Sequence, residues 1–397
     1  MRPTGCCISY MRWRVQSQTQ LAMDAFTATD VFAVTTALLL LPPEAGLTRK
    51  ALKALRRAKE REACTSFYFY SGTLFGGGLA LFGLVGNLLS CFVLGPERKK
   101  SSTVQSLCLL AIADSMVLLA YSTVFPVQGI FKMACGWACG ANANLVGSVY
   151  IFETARVFNQ VSGFLTMILA WQRYVAVCLP HRAKQLCTTR NVNRMAAVVL
   201  VSCVVFYLPN FFVYTLHVDE NGRFRSESTW LQSNAYFQMI HSVVLSYLFS
   251  YFVPVGSLIF MSIRILANLD ASNNSVGAAS SRAQSVRKDL TKSLMVIVAV
   301  FLVCQSFSPV RRVLMWVYDP FLKYALCGGE LFYFSTIPHM AIMFNSSANF
   351  VIYILFAKGF RRKIAVLFGR GNSAVEPLTS ESSSSKKLSS LKLPEKA

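Results

Sequence analysis

Charged residues are scarce in this sequence. They make up 14% of the 397 residues, whereas 54% are hydrophobic and the mean hydropathy is +0.46. Soluble domains contain about 25% charged residues, so a chain of two or three soluble domains is excluded. The composition instead predicts a polytopic membrane protein.

Catalytic and metal-binding motifs are also absent. Neither His-Glu-x-x-His nor Gly-x-Ser-x-Gly occurs, and the four histidines are dispersed along the chain. The internal repeat with interrupted helices that is typical of many transporters is not found either. We therefore expect no enzymatic activity and keep a membrane transporter only as an unfavoured alternative.

Long apolar runs, by contrast, are abundant. A bilayer core requires about 20 consecutive apolar residues in a helix, and seven runs meet this requirement. They lie at residues 67–95, 103–129, 145–178, 195–217, 236–267, 290–318 and 331–356. The sequence thus predicts an all-α bundle at 67–356, preceded by a tail at 1–66. The Ser-rich segment at 370–397 is expected to be disordered.

Basic residues outnumber acidic ones, 39 to 18, for a formal net charge of +21. A nucleic-acid partner is one explanation, but Lys and Arg lie mainly in the segments after the first, third, fifth and seventh spans. The intervening loops at 128–142, 217–234 and 319–330 contain few of them. Because positive loops face the cytosol, the pattern predicts an extracellular amino terminus and no nucleic-acid partner.

One basic stretch opposes this orientation. Residues 49–61 contain a cluster of Lys and Arg that by charge alone favours the cytosol. The three other cytosolic loops outweigh it, and a basic amphipathic helix near 47–62 that lies on a membrane surface is the alternative. A secretory signal peptide is not expected, because the apolar piece at 31–41 begins far into the chain and precedes Pro42-Pro43.

Polar residues interrupt the spans at positions that are costly in lipid. They are Gly86-Asn87 in the first span, Asp114 in the second, Asn159, Gln160, Ser162 and Thr166 in the third, and Asn345 and Asn349 in the seventh. Gly86-Asn87 predicts a close helix contact with a polar bridge. Asp114 indicates an ion or proton site, and the alternative is a structural hydrogen-bonding hub that holds a neutral carboxyl group.

Several motifs occur in a fixed order along the spans. They are Gly86-Asn87, Leu-Ala-x-x-Asp114, Gln172-Arg173-Tyr174, Phe301-x-x-Cys304-Gln305 and Asn345-x-x-x-Asn349-Phe350-x-x-Tyr353. Together they resemble the rhodopsin-like (class A) G-protein-coupled receptors, and the last motif is most similar to invertebrate FMRFamide-type neuropeptide receptors. The resemblance covers 67–369 and implies a seven-transmembrane-helix bundle with a short amphipathic cytosolic eighth helix at 357–369.

The resemblance also implies a function and partners. We expect a plasma-membrane receptor for an extracellular peptide, an amidated neuropeptide in particular, that activates a heterotrimeric G protein. A small non-amine ligand is the alternative. The amine-binding aspartate and the retinal-binding lysine of other branches are replaced by Ala155 and Met343. Phosphates on the serines around 382–385 would recruit an arrestin-like partner, and a plain solvated tail is the alternative.

Candidate ligand-binding residues are polar groups in the outer halves of the spans. They are Glu153, Arg156, Asn159, Gln160, Gln305, Arg311, Arg312 and His339. A ligand that ends in amidated Arg-Phe needs a carboxylate, for which Glu153, Glu330 and Asp319 are candidates. The alternative for Glu153 and Arg156, which lie one helical turn apart, is that they only neutralise each other.

A bound sodium ion is the one inorganic group that the resemblance implies, and no other cofactor is expected. Asp114, Ser162, Asn345 and Asn349 correspond to the polar cluster of the family, with Asn87 nearby. Their oxygen atoms suit a hard cation.

The resemblance assigns the activation switch to residues at the inner half of the bundle. They are Gln172, Arg173, Tyr174, Phe301, Asn349 and Tyr353. Gln172 stands where the family has an acid that pairs with the arginine, and Arg287 or Lys288 lies near the place of a second acid. Only Asp289 is close by. We therefore expect elevated ligand-free signalling, and the alternative is that other contacts hold the resting state.

Two features of the outer loops complete the expectations. Asn221-Gly222 occupies a hairpin-turn position between short extended arms, with a solvated loop as the alternative. The family's disulfide from the third helix to the second outer loop is excluded, because no cysteine occurs between Cys203 and Cys304. The available outer thiols are Cys64, Cys135, Cys139 and Cys327, besides Cys6 and Cys7, and their pairing is left open.

Overall fold

The structure is a computed structural model that describes residues 59–60, 62–134, 145–220, 224–273, 281–317 and 332–367. The account below concerns the compact unit at 61–397. The expected amphipathic segment near 47–62 lies mostly outside the described residues. The Ser-rich tail and Cys135, Cys139 and Cys327 lie outside them entirely. Cys64 is described and takes part in a disulfide bond.

Seven helices in the described part of the chain are long and apolar enough to cross a membrane. We number them α1 (Gly77–Leu94), α2 (Ser102–Ala134), α3 (Phe152–Cys178), α4 (Thr189–Tyr207), α5 (Val253–Asn273), α6 (Ser281–Val317) and α7 (Phe332–Phe356). Stretches of π-helix precede three of them, at Tyr68–Gly76, Gly147–Ile151 and Phe237–Leu245 with Leu248–Phe252. A final helix, α8 (Lys358–Leu367), follows α7 after one residue.

Helix α3 is the most enclosed of the seven. Within its most apolar stretch 61% of residues are buried, compared with 11% in α4 and 17% in the span that contains α5. The apolar faces of α4 and α5 that remain exposed are long enough to be covered by lipid. The polar residues Gln160, Ser162 and Thr166 of α3 are buried, so this polar stripe faces protein, as the cost of polar groups in hydrocarbon requires.

The end of α3 coincides with the end of the predicted span at 145–178. The helix stops at Cys178, Leu179 leaves the helical region with φ −133° and ψ 55°, and Pro180–Leu186 forms a separate short helix. The cause is local, because a residue that precedes proline is disfavoured in the α region.

The fourth span was placed too late in the sequence. It begins at Thr189 rather than 195, since the Thr188 side chain caps the helix by accepting a hydrogen bond from the Asn191 backbone amide at 3.2 Å. It ends at Tyr207, and Pro209 lies in a 3-10 turn at Leu208–Phe212. Residues 208–217 of the predicted fourth span therefore lie outside α4.

A β-hairpin follows this turn. Strands β1 (Tyr214–Val218) and β2 (Phe224–Ser228) pair antiparallel, with Val218 opposite Phe224. The predicted turn at Asn221-Gly222 lies outside the described residues. Most of their side chains are exposed, so the hairpin is held mainly by backbone hydrogen bonds and by Thr229, whose amide donates to the Val213 carbonyl at 3.0 Å. The predicted extended arms are confirmed.

Helices α1 and α7 approach each other at Gly86. A Cβ atom at this position would lie 2.8 Å from Phe350, and the Asn87 amide donates to the Ser346 carbonyl at 3.1 Å. The close contact and the polar bridge predicted for Gly86-Asn87 are both confirmed. Phe350, which stands where the family has proline, thus fills a groove that only glycine leaves open.

This contact gives the first prediction. Gly86→Ala should destabilise the protein by about 1–3 kcal/mol, because the methyl group forces Phe350 to shift. Thermal unfolding in detergent measures the effect. Gly78→Ala is the matched control, since a Cβ there has no atom within 4 Å. Adding Phe350→Ala to Gly86→Ala should relieve only part of the clash, because it removes the Phe350 ring but keeps the Phe350 Cβ, which lies 2.8 Å from the added methyl group. A Gly86→Ala variant as stable as the Gly78→Ala variant would contradict the account.

Candidate functional site

An ion pair lies in the outer half of α3. Arg156 donates through Nη1 to Glu153 Oε1 at 2.5 Å, and Asn210, in the turn after α4, donates to Glu153 Oε2 at 3.2 Å. The Glu153 side chain is 11% exposed and that of Arg156 is 45% exposed. Both carboxylate oxygens are therefore engaged within the protein, whereas the Arg156 side chain is only partly enclosed. Asn210 was missed in the sequence, where nothing distinguishes it from other loop amides.

A pair of amides joins α3 to α6 one turn deeper. Gln305 donates to Asn159 Oδ1 at 2.9 Å, and Asn159 donates back to Gln305 Oε1 at 3.5 Å. Gln305 is 8% exposed. Two amides that satisfy each other avoid the cost of an unpaired buried polar group. The glutamine that replaces the family's tryptophan is thus matched by a partner on α3.

A second contact between α3 and α6 lies below this pair and involves the aromatic ring of Phe301. A Cβ at Gly163 would lie 3.1 Å from Phe301 Cζ, so the ring of α6 rests directly on the α3 backbone. Because Gly163 and Phe301 are each four residues from a member of the amide pair, the two contacts form successive layers. Gln160 belongs to neither layer, and its side chain donates to the Phe249 carbonyl at 3.2 Å.

His339 on α7 lies among aromatic rings. Its ring centroid is 5.2 Å from that of Phe152, 5.4 Å from Phe125 and 5.9 Å from Tyr121. Tyr121 and Phe125 are stacked at 5.9 Å and an interplanar angle of 13°. These aromatic neighbours were missed, although the spacing of four between Tyr121 and Phe125 is the signal of one helix face.

The remaining two candidate ligand-binding residues, Arg311 and Arg312, lie on α6. Arg311 is half-buried, and it lies within electrostatic reach of His339 and Tyr121 together with Arg156. The side chain of Arg312 lies outside the described part of the chain. The structure therefore brings together candidates from α3, α6 and α7, and their role in ligand binding stays a prediction.

Asp114 is fully buried at the centre of the bundle. Its Oδ1 accepts a hydrogen bond from Ser162 Oγ and its Oδ2 accepts one from the Asn349 amide, each at 2.7 Å. One carboxylate thus ties α2 to α3 and α7. The placement of Ser162 and Asn349 around it is as the sequence predicted.

The residues around Asp114 fit a sodium ion. Ser346 Oγ is buried close to the Asp114 carboxyl group, so it supplies an oxygen beyond the Asp114 carboxylate and Ser162. Asn345 is also buried, but in the described part of the chain no hydrogen bond joins it to Asp114. Ser346 was missed in the sequence, because it differs from its neighbour Ser347 only in the direction of its side chain.

The candidate switch residues occupy the inner half. Gln172 is 2% exposed, and its Nε2 donates to Ser106 Oγ on α2 at 2.7 Å, while its Oε1 has no partner among the described residues. The Tyr174 ring lies 6.3 Å from that of Phe260 on α5. Tyr353 is buried, with its ring 5.7 Å from Phe360 on α8.

Arg173 is half-buried. It lies near the end of α3, at the opening of the inner half of the bundle, which we call the mouth. The side chains of Arg287, Lys288 and Asp289, which were expected near it, lie outside the part of the chain that the structure describes.

Comparison with known families gives one match. The family described as 7 transmembrane receptor (rhodopsin family) matches residues 86–353, which is more than half of the chain. The matched range includes the Gly86-Asn87 motif at its start and Tyr353 at its end.

Individual relatives are similar at modest identity. The FMRFamide receptor of Drosophila melanogaster is 25% identical over 73% of this chain, and the chain spans only 52% of that receptor. The FMRFamide peptide receptor frpr-18 of Caenorhabditis elegans is 19% identical over 74% of this chain and 68% of its own length. The neuromedin-U receptor 2 of Mus musculus is 26% identical over 70% of each chain.

The Asp114 cluster gives the second prediction. At sodium about tenfold above its dissociation constant, binding to the folded state should add about 1.4 kcal/mol to the stability. The melting temperature of the purified protein should therefore rise in sodium chloride relative to equimolar choline chloride. Asp114→Asn should abolish the difference, whereas Ser115→Ala, a neighbour that bonds only to its own helix, should retain it. Equal melting temperatures of the native protein in both salts would rule out the ion.

Proposed function

The chain belongs to the rhodopsin family of seven-transmembrane receptors, and on this premise we propose that it binds an extracellular peptide and activates a heterotrimeric G protein. An amidated neuropeptide is the preferred class, in keeping with the names of the FMRFamide receptors it resembles. Catalysis then belongs to the G protein rather than to this chain. The chain acts from the plasma membrane with its amino terminus outside, as its distribution of basic loops favours.

The observation that carries the proposal is the polar outer half of the bundle. Arg156, paired with Glu153 yet 45% exposed, offers N–H donors to peptide carbonyl or carboxylate groups. The paired amides of Asn159 and Gln305 lie one turn deeper. A peptide carries donors and acceptors along its whole backbone, so it matches such a site better than an amine, for which Ala155 provides no counter-charge.

Two contacts between α3 and α6, the Asn159–Gln305 amide pair and the Phe301–Gly163 contact, connect the proposed ligand site to the inner half of the bundle. A ligand group that competes for the Asn159–Gln305 pair would loosen the upper layer, and Phe301 would then leave Gly163 in the lower layer. Outward motion of the inner half of α6 opens the mouth at Arg173 and Tyr174 to the G protein. Binding energy is converted to signalling only to the extent that the ligand prefers this open state.

Other partners follow from the same premise. The Ser-rich tail, once phosphorylated, provides anionic groups for an arrestin-like protein. The sodium ion, bound at Asp114, would favour the resting state by joining α2, α3 and α7 in their closed arrangement.

A screen tests the function directly. Cells that express the receptor should show saturable G-protein activation with at least one amidated neuropeptide, and cells without it should not. Activation by a non-peptide small molecule in the absence of any active peptide would overturn the peptide assignment. Solute flux without G-protein activation would overturn the receptor assignment.

The third prediction concerns Glu153 once an active peptide is in hand. Glu153→Gln should weaken the peptide by about 1–3 kcal/mol, because the variant loses the charge that positions Arg156. Concentration-response curves of G-protein activation measure the shift. Thr154→Ala is the control, since the Thr154 hydroxyl bonds only to the Tyr150 carbonyl of its own helix. Unchanged potency of the Glu153 variant would remove the ion pair from the site.

The fourth prediction concerns Gln172, which supplies no charge to the mouth. Gln172→Glu should lower ligand-free signalling several-fold, because a charged hydrogen bond to Arg173 stabilises the resting state by about 1 kcal/mol more than a neutral one. G-protein activation without ligand is measured at matched surface expression. Ser106→Ala removes the partner of Gln172 without adding charge and should not lower the basal rate. Equal basal rates for Gln172→Glu and the native chain would contradict the idea.

A further inference from the structure

The β-hairpin is fixed at its base to the turn that follows α4. The Thr229 backbone amide donates to the Val213 carbonyl at 3.0 Å, and the Thr229 hydroxyl donates to the Phe212 carbonyl at 2.7 Å. The Val213 amide in turn donates to the Asn210 carbonyl at 3.3 Å, and the Val213 side chain is buried. These contacts join the turn Leu208–Phe212, Val213, the two strands and Thr229 into one structural unit, which we call the hairpin unit.

The side chain of Asn210 joins the hairpin unit to α3. Its Nδ2 atom donates to Glu153 Oε2 at 3.2 Å, while Glu153 Oε1 accepts from Arg156. The Glu153 side chain is 11% exposed, so little water reaches the carboxylate to compete with these donors. A hydrogen bond to a charged group is stronger than one between two neutral groups. Asn210 therefore holds the base of the hairpin against the outer half of α3.

No disulfide bond can hold the hairpin unit in place. The sequence contains no cysteine between Cys203 and Cys304, so the unit has no thiol to offer. Most side chains of the two strands are exposed, so their packing against the helices contributes little. The last buried residue of α4 is Tyr207, and the chain leaves that helix immediately after it. The orientation of the hairpin unit relative to α3 is therefore sensitive to the loss of a single hydrogen bond.

We propose that Asn210 is a positioning residue of the outer site, which fixes the hairpin unit to α3 through the Glu153 carboxylate. The other oxygen of this carboxylate positions the Arg156 guanidinium, so a shift of the hairpin unit also changes the place of the proposed ligand-binding cation. The hairpin unit and the ion pair thus respond together to any group that displaces the Asn210 amide. The proposal rests on the proposed function only where it treats the ion pair as a ligand site, because the hydrogen bond itself belongs to the ligand-free protein.

A distance measurement on the ligand-free protein tests the proposal. Spin labels are attached through ketone-bearing amino acids at Ser226 on β2 and Thr123 on α2, both of which are exposed, in the purified full-length protein. Double electron–electron resonance then gives the distribution of distances between the hairpin unit and α2. Asn210→Leu keeps the side-chain volume but removes the donor, so the fraction of molecules with a displaced hairpin unit should rise about tenfold or more.

A change at Glu153 separates the hydrogen bond from a packing effect of Asn210. Glu153→Ala removes the acceptor and should displace the hairpin unit to the same extent as Asn210→Leu. The double variant Glu153→Ala/Asn210→Leu should add little to either single change, because both remove the same interaction. Displacements that add up in the double variant would overturn the proposal, since the two residues would then act independently.

Asn234→Leu is the matched control. Asn234 follows the hairpin unit in the chain, and its side chain accepts from the Phe237 amide at 3.0 Å rather than binding to α3. The control should keep the native distance distribution, and melting temperatures verify that each variant remains folded. An unchanged distribution in a folded Asn210→Leu or Glu153→Ala variant would overturn the proposal, and so would an equal displacement in the control.

Discussion

Polar groups inside this bundle must find their partners in one another, because hydrocarbon offers neither hydrogen bonds nor solvation. The rest of the structure depends on that constraint. Asp114, 0% exposed, meets it by accepting from Ser162 and Asn349, and it thereby holds three helices in register. The same requirement turns the polar stripe of α3 toward protein and leaves the apolar faces of α4 and α5 to lipid.

Each departure from the family motifs is accompanied by a local partner. Gln305, in the place of a tryptophan, exchanges hydrogen bonds with Asn159. Gln172, in the place of an acid, donates to Ser106. Phe350, in the place of a proline, fills the groove at Gly86. These are different ways of meeting one demand, which is that a side chain in the bundle must be matched in polarity or in volume.

The two ends of the bundle differ in how charge is handled. In the outer half, Glu153 is enclosed by Arg156 and Asn210, and the cation of the pair is the more exposed member. At the end of the bundle that carries α8, Lys363 pairs with Glu97, and the neighbouring side chains of Arg98, Lys99 and Lys100 are exposed. In both places an acid is neutralised within the protein while basic side chains remain exposed.

The sequence by itself determined the all-α class, the seven spans, the family and the residues around Asp114, because long apolar runs and polar residues within them are costly enough to leave few alternatives. It also determined the hairpin, through Asn221-Gly222 and its flanking arms. The limits of α4 were misjudged, since Thr188 sets the start of the helix by capping its first turn rather than through hydropathy. Only the tertiary structure decided which polar residues meet. The pairing of Asn159 with Gln305, of Glu153 with Asn210 and of Glu97 with Lys363 joins residues on separate elements, and their contact depends on helix rotation and approach, which hydrophobic periodicity does not specify.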